Sequence, residues 1–161
     1  MKPVVCRKRI FAGSRYCYII KDGKILLIRK KRGFGEGKLN APGGKVEKDE
    51  ELEDAVKREL QEEIGITPMK PRLLAEIEFF NDGKMEWHVY VFRSDSYTGE
   101  LIETEEAMPH WFSVEKIPYD EMWADDRHWL PLFLQEKRIR AKFHFKNDWK
   151  EIEKYSIQEL E

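Results

Sequence analysis

Three glutamates, Glu59, Glu62 and Glu63, fall within one helical turn of each other, on the flank of a segment that a helix would turn toward the protein interior. With Leu52 set at zero and about 100° of rotation per residue, Leu52, Ala55, Val56, Leu60 and Ile64 share one broad arc, the face expected to be buried. Glu59 and Glu63 lie on or beside that arc, and Glu62 lies at its edge. Glu59 and Glu63 are also i, i+4 neighbours, a like-charge pair that weakens a helix by about 0.2–0.5 kcal/mol. Carboxylates beside a core need a proton, a basic partner or a bound cation. Clustered carboxylate oxygens are what a hard divalent cation such as Mg²⁺ selects, and that ion shares its coordination with water and substrate phosphates. The grouping therefore predicts metal-dependent phosphate chemistry.

The flanks offer partners for such a substrate. Arg29-Lys30-Lys31-Arg32 is a run of four basic residues: a solvated strand end, or one in which one or two side chains meet a triphosphate. Asn40 suits a base edge because its amide both donates and accepts, or else it bonds its own loop backbone. Trp123-Ala124-Asp125-Asp126 sets an aromatic face beside two adjacent carboxylates. Those aspartates suit a helix N-cap. They also suit a purine pocket in which Trp123 stacks on the base and one carboxylate stays protonated, because neighbouring acids repel a second ionisation. Phe34, Phe79 and Met85 are candidate walls of that pocket, or plain core residues.

These groups need elements to hold them. Glu50 to Ile64 reads as a helix, ended by Gly65 and shut off by Pro68. Tyr16 to Ile20 and Lys24 to Ile28 read as strands joined at Lys21-Asp22-Gly23, and Arg72 to Phe80 and Glu86 to Ser94 as strands joined at Asn81-Asp82-Gly83. The glycine-rich stretch from Gly33 to Gly44 reads as a loop, and His110 to Val114 as a short strand. A second helix is expected from an N-cap at Asp125 or Asp126 through Arg138, with Lys142 to Phe145 and Glu151 to Tyr155 as closing strands. Strands between two helices, without regular βαβ spacing, predict an α+β fold with a mixed sheet between helices.

The chain of 161 residues carries 29 basic and 31 acidic residues, a formal net charge of -2. That balance gives no support for a nucleic-acid footprint, and no apolar run approaches the ~20 residues a membrane span needs. Two cysteines, Cys6 and Cys17, make no disulfide framework and read as reduced thiols of a cytoplasmic protein. No repeat or linker divides the chain, so one domain over residues 1–161 is expected, with residues 1–14 as an extension or tail.

The full spacing around the glutamates carries more than their presence. Gly44, Glu50, Arg58, Glu59, Leu60, Glu62, Glu63, Gly65 and Ile66 together resemble the Nudix box, complete over residues 44–66. The resemblance implies the α/β/α Nudix sandwich. It makes Glu59, Glu62 and Glu63 ligands of Mg²⁺, or of Mn²⁺ in its place, with Arg58 orienting the glutamates and Gly44 and Gly65 bounding loop and helix. Lys30 to Gly35, Asn40, Met85 with His88, Met122-Trp123, and Asp125-Asp126 with Trp129 are further similar to the Nudix class that hydrolyses oxidised purine nucleoside triphosphates, the 8-oxo-dGTP diphosphatases. That likeness implies base recognition by Asn40, Asp125 and Asp126, stacking by Trp123, Lys30 and Phe34 lining the site, and Glu106 as a further acid near the metal. Pro42, Ala107 and Ala124 depart from that class, standing where it has an aromatic, a methionine and a proline. The implied reaction releases pyrophosphate and a nucleoside monophosphate, and sanitises the nucleotide pool. The implied protein is a monomer that needs a nucleotide substrate and neither nucleic acid nor membrane. The other readings are a Nudix hydrolase of dinucleotides, sugar nucleotides or RNA 5′ ends, or a nucleotide-binding sensor, which no feature of the sequence favours.

Overall fold

A computed structural model describes residues 12–47 and 49–161. Cys6 and most of the expected N-terminal tail lie outside the described residues, whereas Ala12 to Ser14 already belong to the first strand.

Eleven strands and two helices are assigned among these residues: β1 (Ala12–Lys21), β2 (Lys24–Lys30), β3 (Leu39–Asn40), β4 (Gly43–Lys45), α1 (Leu52–Ile64), β5 (Ile66–Pro68), β6 (Arg72–Asn81), β7 (Lys84–Ser94), β8 (Tyr97–Gly99), β9 (Ala107–Ser113), α2 (Asp126–Leu134), β10 (Arg138–Lys146) and β11 (Glu151–Leu160). A 3-10 turn, Tyr119–Glu121, precedes α2. The main sheet runs β11-β10-β6-β7-β1-β2-β3, with β4 added to β1 and β9 to β2, while β5 and β8 form a separate pair. The sheet is mixed, because β1 runs parallel to β7 and β10 parallel to β6. The two Asp-Gly turns form as expected, with Asp22 and Gly23 at φ 53° and 74° and Asp82 and Gly83 at 52° and 83°.

Strand β1 shows how one segment serves two cores. Successive side chains of a strand point to opposite faces. Cys17 and Ile19 pack with Leu26 and Ile28 against Val56, Leu60 and Ile64 of α1. Tyr18 and Ile20 pack with Ile25 and Leu27 against Trp129, Leu130 and Phe133 of α2. Each fully buried Leu or Ile contributes about 1.5–3 kcal/mol of transfer free energy, so the two helices clamp the sheet from opposite sides.

Helix α1 begins at Leu52, two residues later than expected, and ends where Gly65 adopts a left-handed φ of 80° and donates its N–H to the Gln61 carbonyl. Helix α2 is shorter than the sequence suggests. It stops at Leu134, the chain reverses through Glu136 at φ 62°, and Arg138 already opens β10. Pro131 lies within it and removes one backbone donor from an already short ladder. The side chain of Asp125 does not cap α2: its residue is in the αR region and no side-chain cap bond forms.

Candidate functional site

Arg58 organises the acidic cluster. Its Nε donates to Glu50 Oε2 at 2.6 Å and its Nη2 to Glu50 Oε1 at 3.0 Å, a two-point clasp between α1 and the loop before it. From the same guanidinium, Nη1 reaches Glu59 Oε2 at 3.0 Å and Glu62 Oε1 at 3.2 Å. The spacing of Glu50 and Arg58 thus has a physical reason. Gly44 has one as well, since a Cβ built there would lie 2.5 Å from Glu59 Oε1. The glycine leaves the room that the Glu59 carboxylate occupies.

The burial gradient across the three glutamates follows the helical arc. The Glu62 side chain is 61% exposed and that of Glu59 only 21%. Glu63 is the most enclosed, and its Oε1 accepts the Gly43 N–H at 2.9 Å. Burial pushes the Glu63 carboxyl up to about 7, against the opposing pull of the Gly43 bond, with nearby Glu59 adding to the rise. Burial also raises Glu59, although the Arg58 bond opposes it. Among the described residues no three acidic, His or Cys side chains converge tightly enough to enclose a cation unaided. Arg58 draws Glu59 and Glu62 to itself. The donor set nevertheless fits a cation shared with a ligand: hard carboxylate oxygens, two of them disfavoured as anions by burial, on one flank of a helix.

Behind Glu63 opens a cavity of about 390 Å³. Lys30, Phe34, Asn40, Gly44, Glu63, Phe79, Trp123, Asp125 and Asp126 all line it, so the sequence-derived base residues and the innermost glutamate meet in one space. Of the basic run, Arg29 pairs with Glu121, Lys31 with Glu103, and Arg32 with Glu105 and Glu106. Lys30 alone makes no ion pair among the described residues and faces the cavity, close enough for its charge to lower Glu63. Asn40 bonds its own loop backbone while lining the cavity. Its Oδ1 accepts the Ala41 N–H at 2.8 Å, which leaves the amide NH2 as the donor available to a ligand.

The aspartate pair is the least ordinary feature of the cavity. Both residues are only 4% exposed. Asp125 Oδ2 accepts the Trp129 indole N–H at 2.8 Å, whereas Asp126 Oδ2 has no hydrogen-bond partner among the described residues. Burial holds both carboxyls above the usual range, and for Asp126 the adjacent Asp125 charge adds to that effect. Both carboxyls are thus biased toward the neutral form, in which a carboxyl can donate a hydrogen bond.

One sequence expectation changes here. Met85 does not wall the cavity. Phe79 pairs with Trp87 and Phe80 with Met85, so the extra residue on β7 sets Met85 on the face opposite Phe79. Trp87 takes its place in the lining. Glu106, expected as a further acid near the metal, lies close enough to Glu63 for its charge to raise that carboxyl; its own carboxylate pairs with Arg32, and its backbone N–H donates at 3.1 Å to Thr104 Oγ1, which itself donates to the Glu63 carbonyl at 2.8 Å. Trp149, on the turn between β10 and β11, lines the cavity and carried no signal in the sequence. The tyrosines of β1, Tyr16 and Tyr18, also line it, and period-two alternation from the expected strand at Tyr16 would have found them.

The NUDIX domain model matches residues 12–133. The chain is 46% identical over 128 residues to the oxidized purine nucleoside triphosphate hydrolase of Danio rerio, covering 79% of this chain and 82% of that protein. It is 39% identical over 144 residues to the protein of the same name from Mus musculus, covering 89% and 92%. The crystal structure of the MutT mutator protein of Bacillus halodurans superposes with a TM-score of 0.80 at 28% identity, covering 92% of this chain and 98% of that one. With the box, the sandwich and these relatives in agreement, the chain belongs to the Nudix family of hydrolases.

Proposed function

We propose that this enzyme hydrolyses oxidised purine nucleoside triphosphates, such as 8-oxo-dGTP, to the nucleoside monophosphate and pyrophosphate. The observation that carries the reading is the buried Asp125–Asp126 pair beside Trp123, in a cavity that Glu63 and Lys30 also line. An orphaned buried carboxyl oxygen costs about 1–3 kcal/mol, and a purine edge is the kind of ligand that would satisfy it. An oxidised purine edge offers donors and acceptors side by side. A neutral carboxyl next to an ionised one answers with a donor and an acceptor. Asn40 adds a further donor, and Trp123 supplies the stacking face. The names of the two animal relatives, alike over most of the chain, support the same substrate class.

Nudix hydrolases generally use divalent metal ions, and Mg²⁺ suits the all-carboxylate set of Glu59, Glu62 and Glu63 best, with Mn²⁺ able to replace it. When bound, such a cation supplies charge neutralisation of the phosphates and a polarised water for in-line attack. The chain's own residues do the rest. Arg58 fixes the glutamate side chains, Lys30 meets a phosphate with a compact positive charge, and the base end sets the depth of insertion so that the same phosphorus always faces the acidic helix. This reading has the enzyme acting as a monomer on free nucleotides in the cytoplasm.

The test is a panel of normal and oxidised purine and pyrimidine triphosphates, assayed for pyrophosphate with and without chelator. The reading expects chelator-sensitive release with the highest kcat/KM for an oxidised purine. Release of orthophosphate, or preference for a dinucleotide or sugar nucleotide, overturns it.

A further inference from the structure

We infer that Trp149 is a base-stacking, specificity-determining residue, held in the lining of the purine pocket by a strained turn. The inference rests on the proposed pocket reading and adds to it a residue outside the matched domain. Asn147, Asp148 and Trp149 stand at φ 55°, 57° and 69°, three successive non-glycine residues in the left-handed region. For a bulky side chain such as Trp that is an outlier. The same chain closes its other two long hairpins with Asp-Gly, so the β10–β11 turn departs from the easy solution. Backbone of this kind persists only where the surroundings over-determine it, and it concentrates at functional sites.

The surroundings are visible. The Trp149 N–H donates to Asn81 Oδ1 at 3.2 Å, the Asn147 side-chain amide donates to the Glu151 carboxylate, and the Asp82 N–H donates to the Phe145 carbonyl at 2.9 Å. The indole so placed lies 5.2 Å from the Phe145 ring and meets Phe34 edge-on at 5.9 Å and 74°. Phe34, itself 53% exposed, stacks on Trp123 at 5.0 Å and on Trp87 at 6.1 Å. Phe34 thus touches all three tryptophan rings, and all four aromatic residues line the cavity. The two fused rings of a purine offer Trp149 a larger stacking face than the single ring of a pyrimidine. The simpler role, a cover for the buried Phe145, would affect folding and every substrate alike.

Trp149→Gly suits the left-handed turn and removes the ring, Trp149→Ala removes the ring alone, and Trp149→Phe keeps part of the stacking face. Steady-state kinetics on 8-oxo-dGTP and dCTP, with thermal melts, should show KM for the purine up by about tenfold in Gly and Ala variants. KM for the pyrimidine should rise less than twofold, and Phe should recover most of the loss. Unchanged purine KM in a folded variant, or equal losses for purine and pyrimidine, overturns the inference. Calorimetric binding of 8-oxo-dGMP and dCMP to wild type and Trp149→Gly reads the same ratio without turnover. A wild type that binds purine monophosphate but releases no pyrophosphate from any purine triphosphate therefore refutes the hydrolase reading and leaves the stacking role standing.

Discussion

Replacing Gly44 with alanine should remove most of the activity and little of the stability. The backbone at Gly44 is outside the left-handed region, so alanine adds no conformational strain there. Its methyl group would arrive 2.5 Å from Glu59 Oε1 and 2.6 Å from Glu59 Cδ. Reaching an ordinary contact of 3.4 Å requires the carboxylate to retreat by about 0.9 Å. The obstacle is the far end of a long side chain, so the move is mechanically easy. It carries Glu59 away from the place set by its 3.0 Å bond to Arg58. Displacing a catalytic group by about 1 Å can cost about 100-fold in rate, which is about 2.7 kcal/mol of lost transition-state stabilisation. The melting temperature should fall by no more than about 4 °C, the equivalent of about 1 kcal/mol for a chain of this size. Pyrophosphate release measured against rising Mg²⁺, beside a thermal melt, separates the two effects. A folded Gly44→Ala enzyme with wild-type kcat would refute the role given to Glu59. A collapse of the fold would refute the claim that the side chain, and not the backbone, absorbs the contact.

Other substitutions probe the rest of the site. Glu63→Gln should abolish metal-dependent turnover and leave a folded protein. Because the folded-state carboxyl is raised to about 7, the native state of wild type holds the Glu63 proton more tightly than the unfolded chain, and metal-free stability falls as pH rises from about 4 to 7. The Gln variant should lose that slope in metal-free urea titrations at a series of pH values; an unchanged slope would show that Glu63 is not the group responsible. Asp126→Asn should alter the ranking of purines more than the dependence on Mg²⁺, and equal losses on every nucleotide would exclude Asp126 from base recognition. Thr104→Val deletes the hydroxyl that joins the Glu63 carbonyl to the Glu106 N–H, at about 1–2 kcal/mol of stability. Urea melts should show that loss and Thr104→Ser should restore it, whereas equal stability of the valine variant would show the bridge to be idle.

Much of the acidic helix was legible in the sequence because its signals are local. The 3.6-residue period marked the buried face and Gly65 marked the stop, whereas the Arg58–Glu50 clasp that accounts for their spacing came only with the fold. The aspartate pair and Trp123 were legible as neighbours in the chain, and their convergence with Lys30 and Asn40 on one cavity followed from the resemblance. What depended on register was not readable. A single extra residue on β7 exchanges Met85 for Trp87, and no local pattern announces it. The left-handed turn at Trp149 is stabilised by Asn81, far away in sequence, so its conformation was invisible too. Arg15, only 1% exposed, lies with its guanidinium 4.3 Å from the Tyr90 ring, a burial that its charge argues against. The end of α2 was placed too late because helical propensity continues past Leu134 while the tertiary reversal at Glu136 decides the matter.

The alternation along β1 has a consequence for how such an enzyme can change. Tyr16 and Tyr18 look into the space for the base, while Cys17 and Ile19 support the helix that carries the glutamates. Exchange at Tyr18 would therefore reshape the recess, exchange at Cys17 or Ile19 would bear on the acidic helix, and Tyr16 stands between the two, against the Gly43 whose N–H holds Glu63. One ribbon of chain thus carries the fit to the ligand on one side and the support of the acidic helix on the other.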